Sequence, residues 1–290
     1  MTPSEKKSPK SEWGDASRLA LLRKWRPQGL AAGRPYTEAL LATADLRPGI
    51  DVLDVACGAG EPALELARRV GPTGSVLGID PSELLVGLAR EYAQEEGLSQ
   101  VVFKVGTAEA LPLPDRSVDR VTSRFGPMYF PDLPRALSET RRVLRPGGRL
   151  AWLVWGSLAR PFWEATILVV ARYAGLSELP PEAAQPFRFA PGGILANLFK
   201  QAGFEAVTET RLEIPWSWKG TPSEVCEWSL SGSPPFRAII ESLSGPAREQ
   251  MVEEVTRKLT GFYAEGRVTL PSQVIAATGT SGRSPPAGFG

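Results

Sequence analysis

The chain has 290 residues, of which 42% are hydrophobic and 22% are charged, and its formal net charge is +1. This composition is that of an ordinary globular protein, and the charge balance favours neither a nucleic acid nor an anionic membrane as partner. The chain has no histidine, which excludes histidine as a general base, as part of a nucleophilic pair and as a metal ligand.

The two ends of the chain are polar. Residues 1–14 contain three lysines and two prolines, and residues 279–290 are rich in glycine, serine and proline, so both are predicted to be disordered tails. The start has no apolar core of a secretion signal, and the longest apolar run, 165–171, is too short to span a membrane. The two cysteines are far apart and have no metal-site spacing. We therefore expect a cytoplasmic protein that binds no metal.

Helices and strands follow in a regular order. Residues 15–46 are expected to form helices over the site, with two helical patterns broken near Pro27 and resuming near Tyr36. Strands then alternate with helices, which predicts a parallel sheet covered on both faces over residues 47–157. The strands are predicted at 50–56, 75–79, 101–105, 118–123 and 149–155, and the helices at 62–70, 82–96 and 133–144.

After Trp155 the pattern changes. Helices are predicted at 162–173 and 193–201, and strands at 205–214 and 267–277. An insert of about 50 residues, 216–265, separates the last two strands and is long enough to cap a site. Residues 158–278 would thus hold the remaining core strands and a helical substrate cap.

A glycine-rich turn follows the first strand of the predicted sheet, in the segment VLDVACGAG that ends at Gly60. Gly58 and Gly60 allow a sharp turn and a close approach of a ligand to the backbone. A helix begins near Pro62, and proline suits the first turn of a helix. The spacing G-x-G-x-x-A also fits a dinucleotide-binding turn, a weak signal by itself.

The charges around this turn separate two cofactors. A pyrophosphate would lie against the turn and the helix N-terminus, where Asp54 and Glu61 would repel it. S-adenosylmethionine (SAM) has no phosphate and carries an ammonium and a sulfonium, which acidic neighbours favour. Asp80, 22 positions after Gly58, ends the second strand at the distance expected of a ribose ligand. The alternative for Asp80 is a helix cap before Pro81.

Four segments resemble the successive motifs of class I SAM-dependent methyltransferases, above all the ubiquinone/menaquinone-biosynthesis C-methyltransferase type (methyltransferase type 11-like). The segments are VLDVACGAGEPALELA, GIDPSELLVGLA, VGTAEALPLPDRSVDRV and RFGPMYFPDLPRALSETRRVLRPGGRLAWLVWG. The resemblance covers about residues 48–157. It implies an α/β fold with a Rossmann-like, seven-stranded, mostly parallel sheet.

The resemblance also implies roles for particular positions. The glycine turn would hold the methionine end of SAM, and residues after the second and third strands would contact ribose and adenine. Thr107 replaces the usual aspartate, so the contact to the adenine amino group would be weaker or come from the backbone of Ala108. The cofactor-binding residues predicted from the residues and the resemblance are Asp54, Ala56, Gly58, Gly60, Asp80, Pro81, Leu85, Thr107, Ala108, Glu109 and Arg124.

Methyl transfer from a sulfonium is an in-line displacement that depends mainly on alignment. Six of the eight tryptophans follow residue 150, which suits an apolar or aromatic acceptor, although tryptophan also fills cores. Arg124 would pair with a carboxylate of the protein or of the acceptor. The candidate acceptor residues, each with core packing as its alternative, are Trp25, Tyr36, Phe125, Met128, Tyr129 and Trp155.

The sequence thus predicts a SAM-dependent methyltransferase that acts on a small molecule, releases S-adenosylhomocysteine (SAH) and is a monomer or homodimer. The methylated atom is carbon, nitrogen or oxygen, and the resemblance favours a C-methylated, quinone-like or lipid-like acceptor. Two alternatives stay open, namely a SAM-binding module without catalysis and a nicotinamide-dependent oxidoreductase.

Overall fold

The computed structural model describes residues 15–231 and 234–282. The predicted tail at 1–14 and most of the one at 279–290 lie outside the described residues. The last strand runs to Ser281, so the prediction that the second tail begins at residue 279 is wrong. In the described part of the chain no helix has the length and apolar character needed to cross a membrane.

Two helices precede the sheet, α1 (Ala16–Lys24) and α2 (Arg26–Ala44). The Asp15 carboxylate caps α1 by accepting the N–H of Arg18 at 2.8 Å. The prediction of a helix that resumes near Tyr36 is wrong, because α2 starts at Arg26 and continues through Pro35. A proline inside a helix removes one hydrogen bond, and the buried apolar face of α2 compensates for that loss.

The first half of the α/β core alternates as predicted. Its sheet has the order β3-β2-β1-β4-β5 with every neighbour parallel. The elements are β1 (Asp51–Val55), α3 (Ala63–Val70), β2 (Ser75–Asp80), α4 (Glu83–Glu95), β3 (Val101–Val105), β4 (Val118–Arg124), α5 (Leu133–Val143) and β5 (Leu144–Trp155).

The second half adds helices and the antiparallel end of the sheet. Strand β8 lies between β5 and β6 and is antiparallel to both. The elements are α6 (Pro161–Glu164), α7 (Ile167–Tyr173), α8 (Pro181–Ala184), α9 (Ile194–Gln201), β6 (Phe204–Lys219), α10 (Pro222–Ser231), α11 (Pro234–Glu241), α12 (Gly245–Thr260), β7 (Tyr263–Ala264) and β8 (Arg267–Ser281). Seven strands form the continuous sheet and the two-residue β7 pairs with β8, so the predicted α/β fold is confirmed.

Strand β6 is longer than its sequence pattern indicates. Trp216 and Trp218 belong to it and pair with Leu270 and Val268 of β8, so the predicted start of the insert at residue 216 is wrong. Pro215 interrupts the pattern, yet β6 is an edge strand, where a residue without an N–H donor is tolerated. The insert between β6 and β8 therefore spans residues 220–266 and contains α10, α11 and α12; these residues are called the cap below.

The strand order reverses between β1 and β4. In an open α/β sheet such a reversal creates a crevice at the carboxyl ends of the strands, where ligands bind. Helix α2 contacts β4, β5, β6 and β8. The helix therefore brings the N-terminal segment against the same end of the sheet as the crevice.

Candidate functional site

The glycine turn after β1 has an unusual backbone. Ala56 has φ 59° although it is not a glycine, and Gly58 and Gly60 have φ 54° and 104°. A Cβ on Gly60 would lie 3.2 Å from the Leu64 side chain, a tight contact, and the positive φ of Gly60 favours glycine there. Non-glycine residues in this region are rare and concentrate at functional sites. Phe125, at the end of the neighbouring β4, has φ 61° as well.

Asp54 is fully buried beside this turn. Its Oδ1 accepts a hydrogen bond from the Thr122 hydroxyl at 2.8 Å, and its Oδ2 is buried with no partner among the described residues. Burial raises the pKa of the Asp54 carboxyl to about 7. An unpaired buried carboxylate oxygen is costly, so this atom suits a hydrogen-bond donor of a ligand, such as an ammonium.

Asp80 ends β2 and links two parts of the site. It accepts the N–H of Gly58 at 3.0 Å and that of Ser82 at 2.9 Å. The N-cap of α4 is Ser82, whose hydroxyl accepts the Leu85 N–H, so Asp80 itself is not that cap. Burial raises the pKa of the Asp80 carboxyl.

Arg124 connects the N-terminal helices to the glycine turn. Its Nη1 donates to the Gly33 carbonyl at 3.0 Å and the Thr37 hydroxyl at 2.7 Å, and Nη2 donates to the Glu61 carbonyl at 3.3 Å. The described residues offer it no carboxylate within ion-pair distance. The expected pair with a protein carboxylate is therefore wrong, because backbone carbonyls and a hydroxyl take its place.

The remaining predicted cofactor residues lie after β2 and β3. Pro81 is exposed, whereas Leu85 is only 4% exposed. Thr107 forms a β-bridge with Ala110, Ala108 is buried, and Glu109 accepts the N–H of Asp132 at 3.5 Å.

Three of the six candidate acceptor residues meet at the strand ends. Phe125 stacks on Trp155 with ring centroids 4.1 Å apart and an interplanar angle of 11°. Tyr36 of α2 meets both rings edge-on at 5.4 and 5.3 Å. The three residues, here called the aromatic triad, come from α2 and the ends of β4 and β5.

The other candidates lie elsewhere. Met128 is fully buried and its sulfur accepts the Trp155 N–H at 3.3 Å, which places it in the core. Trp25 packs against Trp218 at 5.5 Å, between α1 and the base of the cap. Tyr129 interacts electrostatically with Arg18 of α1. Sequence reasoning missed Arg18 and Thr37, whose roles depend on tertiary contacts and leave no local pattern.

Comparison with known proteins identifies the family to which this chain belongs. A methyltransferase domain model matches residues 52–148. The chain is 32% identical over 265 residues to nocamycin O-methyltransferase from Saccharothrix syringae, an alignment covering 87% of this chain and 92% of that protein. The chain belongs to the class I SAM-dependent methyltransferases. The unpaired Oδ2 of Asp54 and the glycine turn fit SAM. The comparisons do not support the alternative of a nicotinamide-dependent oxidoreductase.

Two further proteins resemble this methyltransferase. Demethylmenaquinone methyltransferase from Listeria monocytogenes is 34% identical over 172 residues, covering 56% of this chain and 73% of that protein. The structure of a SAM-dependent methyltransferase from Aquifex aeolicus is 25% identical with a TM-score of 0.51, covering 68% of this chain and 92% of that one. Within residues 15–231 and 234–282, no cluster of three or more potential metal-ligating side chains occurs.

Proposed function

We propose that this enzyme transfers a methyl group from SAM to a small apolar or aromatic acceptor. The observation that carries the proposal is the aromatic triad, which lies at the end of β4 and β5 beside the glycine turn after β1. Flat aromatic side chains orient a flat acceptor by stacking and edge contacts. When bound, SAM supplies an electrophilic methyl group, and the protein aligns the acceptor with it.

Three parts of the chain would hold the cofactor. Asp54 offers its unpaired Oδ2 to a ligand donor, and the backbone of the glycine turn allows close approach. Asp80, fixed by two N–H groups, presents a carboxylate for ribose hydroxyls. Thr107, Ala108 and Glu109 border the adenine side.

Neither histidine nor a tyrosine of the described site serves as a general base, and the Asp54 carboxyl is assigned to the cofactor. The chain lacks histidine, and burial raises the pKa of Tyr36 to about 12 and raises that of Tyr129 further. Tyr36 also shares a 2.6 Å hydrogen bond with the Ser272 hydroxyl. Both phenols are therefore neutral at physiological pH. The proposed acceptor is consequently one that is nucleophilic without deprotonation by a side chain, for example an oxygen that is already ionised.

The share of the chain that aligns with each relative favours oxygen over carbon as the methylated atom. The similarity to the O-methyltransferase extends over 87% of the chain, whereas that to the menaquinone enzyme covers 56%. This shifts our proposal away from the quinone-like acceptor that the motifs alone favour.

Labelled methyl transfer tests the proposal. The enzyme is incubated with SAM labelled in its methyl group and with metabolite extracts, and labelled products are identified by mass spectrometry. We expect a labelled small molecule and an equal amount of SAH. In a parallel thermal-shift experiment, SAH should raise the melting temperature and NADH should not. Transfer to no acceptor, with SAH still bound, would instead support a binding module without catalysis.

Asp80→Ala is expected to weaken SAH binding by about 1.5–3 kcal/mol, because charge-assisted hydrogen bonds to the ribose are lost. Isothermal titration calorimetry measures the change. Asp132→Ala is the matched control, since Asp132 caps α5 by accepting the N–H of Arg135 at 3.0 Å. Equal affinities for the wild type and Asp80→Ala would show that Asp80 only fixes the turn.

A further inference from the structure

Arg188 is a partly buried arginine in the segment between α8 and α9. Its Nη2 donates to the carbonyl oxygens of Pro127 and Phe130 at 3.0 and 3.4 Å, and its guanidinium lies 4.9 Å from the centre of the Phe189 ring. Its Nε is buried, and neither Nε nor Nη1 forms a hydrogen bond with the described residues. These contacts hold the side chain in place and leave two of its nitrogens as donors for a ligand.

The charge of Arg188 has no carboxylate to balance it among the described residues. Burial lowers the pKa of its guanidinium, and no carboxylate there opposes this effect. Two other arginines near the strand ends differ, because Arg160 pairs with Glu213 at 2.6 Å and the charge of Glu61 opposes the effect of burial on the pKa of Arg124. An arginine stays protonated at neutral pH, and a buried charge without a counter-ion is costly. An anionic ligand would therefore stabilise Arg188.

The two carbonyl groups that Arg188 binds belong to the loop that follows β4. Within this loop the Met128 sulfur accepts the N–H of Trp155, a member of the aromatic triad, at 3.3 Å. A Cβ on Gly126 of the same loop would lie 2.5 Å from the Cβ of Ala56 in the glycine turn. The loop therefore lies between the triad and the turn that would hold the cofactor, and Arg188 is bound to it.

Aromatic contacts connect Arg188 to the triad by a second route. The preceding residue, Phe187, meets the Trp163 ring edge-on with centroids 5.0 Å apart, and Trp163 meets Trp155 edge-on at 5.1 Å. Phe187 and Trp163 are buried in one apolar cluster, and Trp155 packs against it. Arg188 thus adjoins an apolar wall, and ligand sites of this kind combine apolar surface with a few polar groups that fix orientation. The arrangement suits an apolar molecule with an anionic group.

We propose that the methyl acceptor is an apolar organic acid and that Arg188 binds its oxyanion. The inference rests on the proposed function and names the class of its acceptor. A planar guanidinium matches a carboxylate or another delocalised oxyanion, so that Arg188 holds one oxygen while another attacks. The attacking lone pair forms the bond from oxygen to the methyl carbon, and the electron pair of the broken C–S bond stays on the sulfur of SAH. Sulfonium and oxyanion neutralise each other and no proton is released, so the reaction needs no general base.

Fractionation of metabolites by charge tests the inference. A metabolite extract is passed over an anion exchanger at neutral pH, and the retained and unretained fractions are each incubated with the enzyme and with SAM labelled in its methyl group. We expect label only in a compound of the retained fraction, and a product with one negative charge fewer than its acceptor. A weakly buffered reaction with the isolated acceptor should release no proton, whereas methylation of a neutral hydroxyl releases one per methyl group.

Arg188→Gln removes the charge but keeps N–H groups that can hold the two loop carbonyls. We expect it to raise the KM for the retained acceptor about tenfold or more, because a hydrogen bond to a charged group is lost, and to leave SAH affinity within about twofold. Arg188→Lys should recover part of this loss, since lysine keeps the charge without the planar fork. Arg211→Gln is the matched control, because Arg211 is exposed and donates to the carbonyl of Ala190 at 2.8 Å.

The outcomes separate the inference from the function. Transfer from neither fraction would mean that the proposed function is wrong, and the inference would fall with it. Label in a compound of the unretained fraction, or one proton released per methyl group, overturns the inference alone. An unchanged KM for Arg188→Gln, or equal impairment of Arg188→Gln and Arg188→Lys, also overturns it, because the side chain then only braces the loop. Should Arg188→Gln not fold, the charge of the wild-type acceptor and the proton count decide.

Discussion

Asp54→Asn is expected to remove the contribution of the Asp54 carboxyl to the pH dependence of stability, a loss of stability of the wild-type enzyme as pH rises from about 4 to 7. Burial raises the pKa of the Asp54 carboxyl from 3.8 to about 7 in the folded protein. Between these values the folded state holds a proton that the unfolded state has lost, so rising pH favours unfolding. The pKa difference corresponds to about 4 kcal/mol. Asparagine does not titrate and so removes this contribution.

The measurement is the free energy of unfolding by urea for both proteins at several pH values. Other carboxyl groups, such as Asp51 and Glu139, have pKa values lowered by hydrogen bonds and ion pairs, and they stabilise the fold as pH rises. Because both proteins contain these groups, the difference between the two curves isolates Asp54. A difference that stays constant from pH 4 to pH 8 would mean that Asp54 ionises normally.

The same carboxyl connects stability to cofactor binding. A ligand ammonium near Oδ2 favours the ionised form of Asp54 and opposes the effect of burial. SAH affinity of the wild type should therefore rise with pH up to about pH 7 and level off above it. At neutral pH the buried, ionised Asp54 carboxylate accordingly destabilises the free protein, and ligand binding reduces this destabilisation.

The sequence predicted the fold of the first half of the α/β core well because its signals are local. The order of β1, the glycine turn and α3 follows from hydrophobic runs, from Gly58 and Gly60, and from a proline near a helix start. Asp54 and Asp80 lie at strand ends by chain position alone, and parallel strands bring those ends together. The position of the antiparallel β8 between β5 and β6 was not predicted, because no local pattern in the chain indicates it.

The parts that the sequence did not predict depend on distant contacts. Arg124 meets Gly33 and Thr37 about 90 positions earlier in the chain, and no local pattern indicates such a pair. Met128 follows a strand end just as Phe125 does, yet only the fold turns Met128 into the core. In the sequence, Pro215 marks the predicted end of a strand. In the structure β6 is an edge strand that tolerates a proline, and it therefore continues to Trp218.

Trp218→Ala is expected to destabilise the enzyme by about 3–5 kcal/mol, the usual range for removing a fully buried large aromatic side chain. Trp218 has no exposed surface and contacts Trp25, Trp216 and Trp228 at 5.5, 5.8 and 5.3 Å between ring centroids. It joins α1 to the base of the cap. The change is measured by urea unfolding and by the melting temperature.

Trp155→Ala is the matched comparison, because Trp155 is the same residue type but belongs to the aromatic triad and is only partly buried. We expect it to destabilise the fold less than Trp218→Ala, to keep SAH affinity within about twofold, and to lower methyl transfer to the identified acceptor at least about tenfold through lost stacking. Normal transfer by Trp155→Ala would remove the triad from the acceptor site. Weakened SAH binding by this variant would instead place the triad against the cofactor. The comparison of Trp218→Ala with Trp155→Ala thus separates a residue that stabilises the fold from one that positions the acceptor.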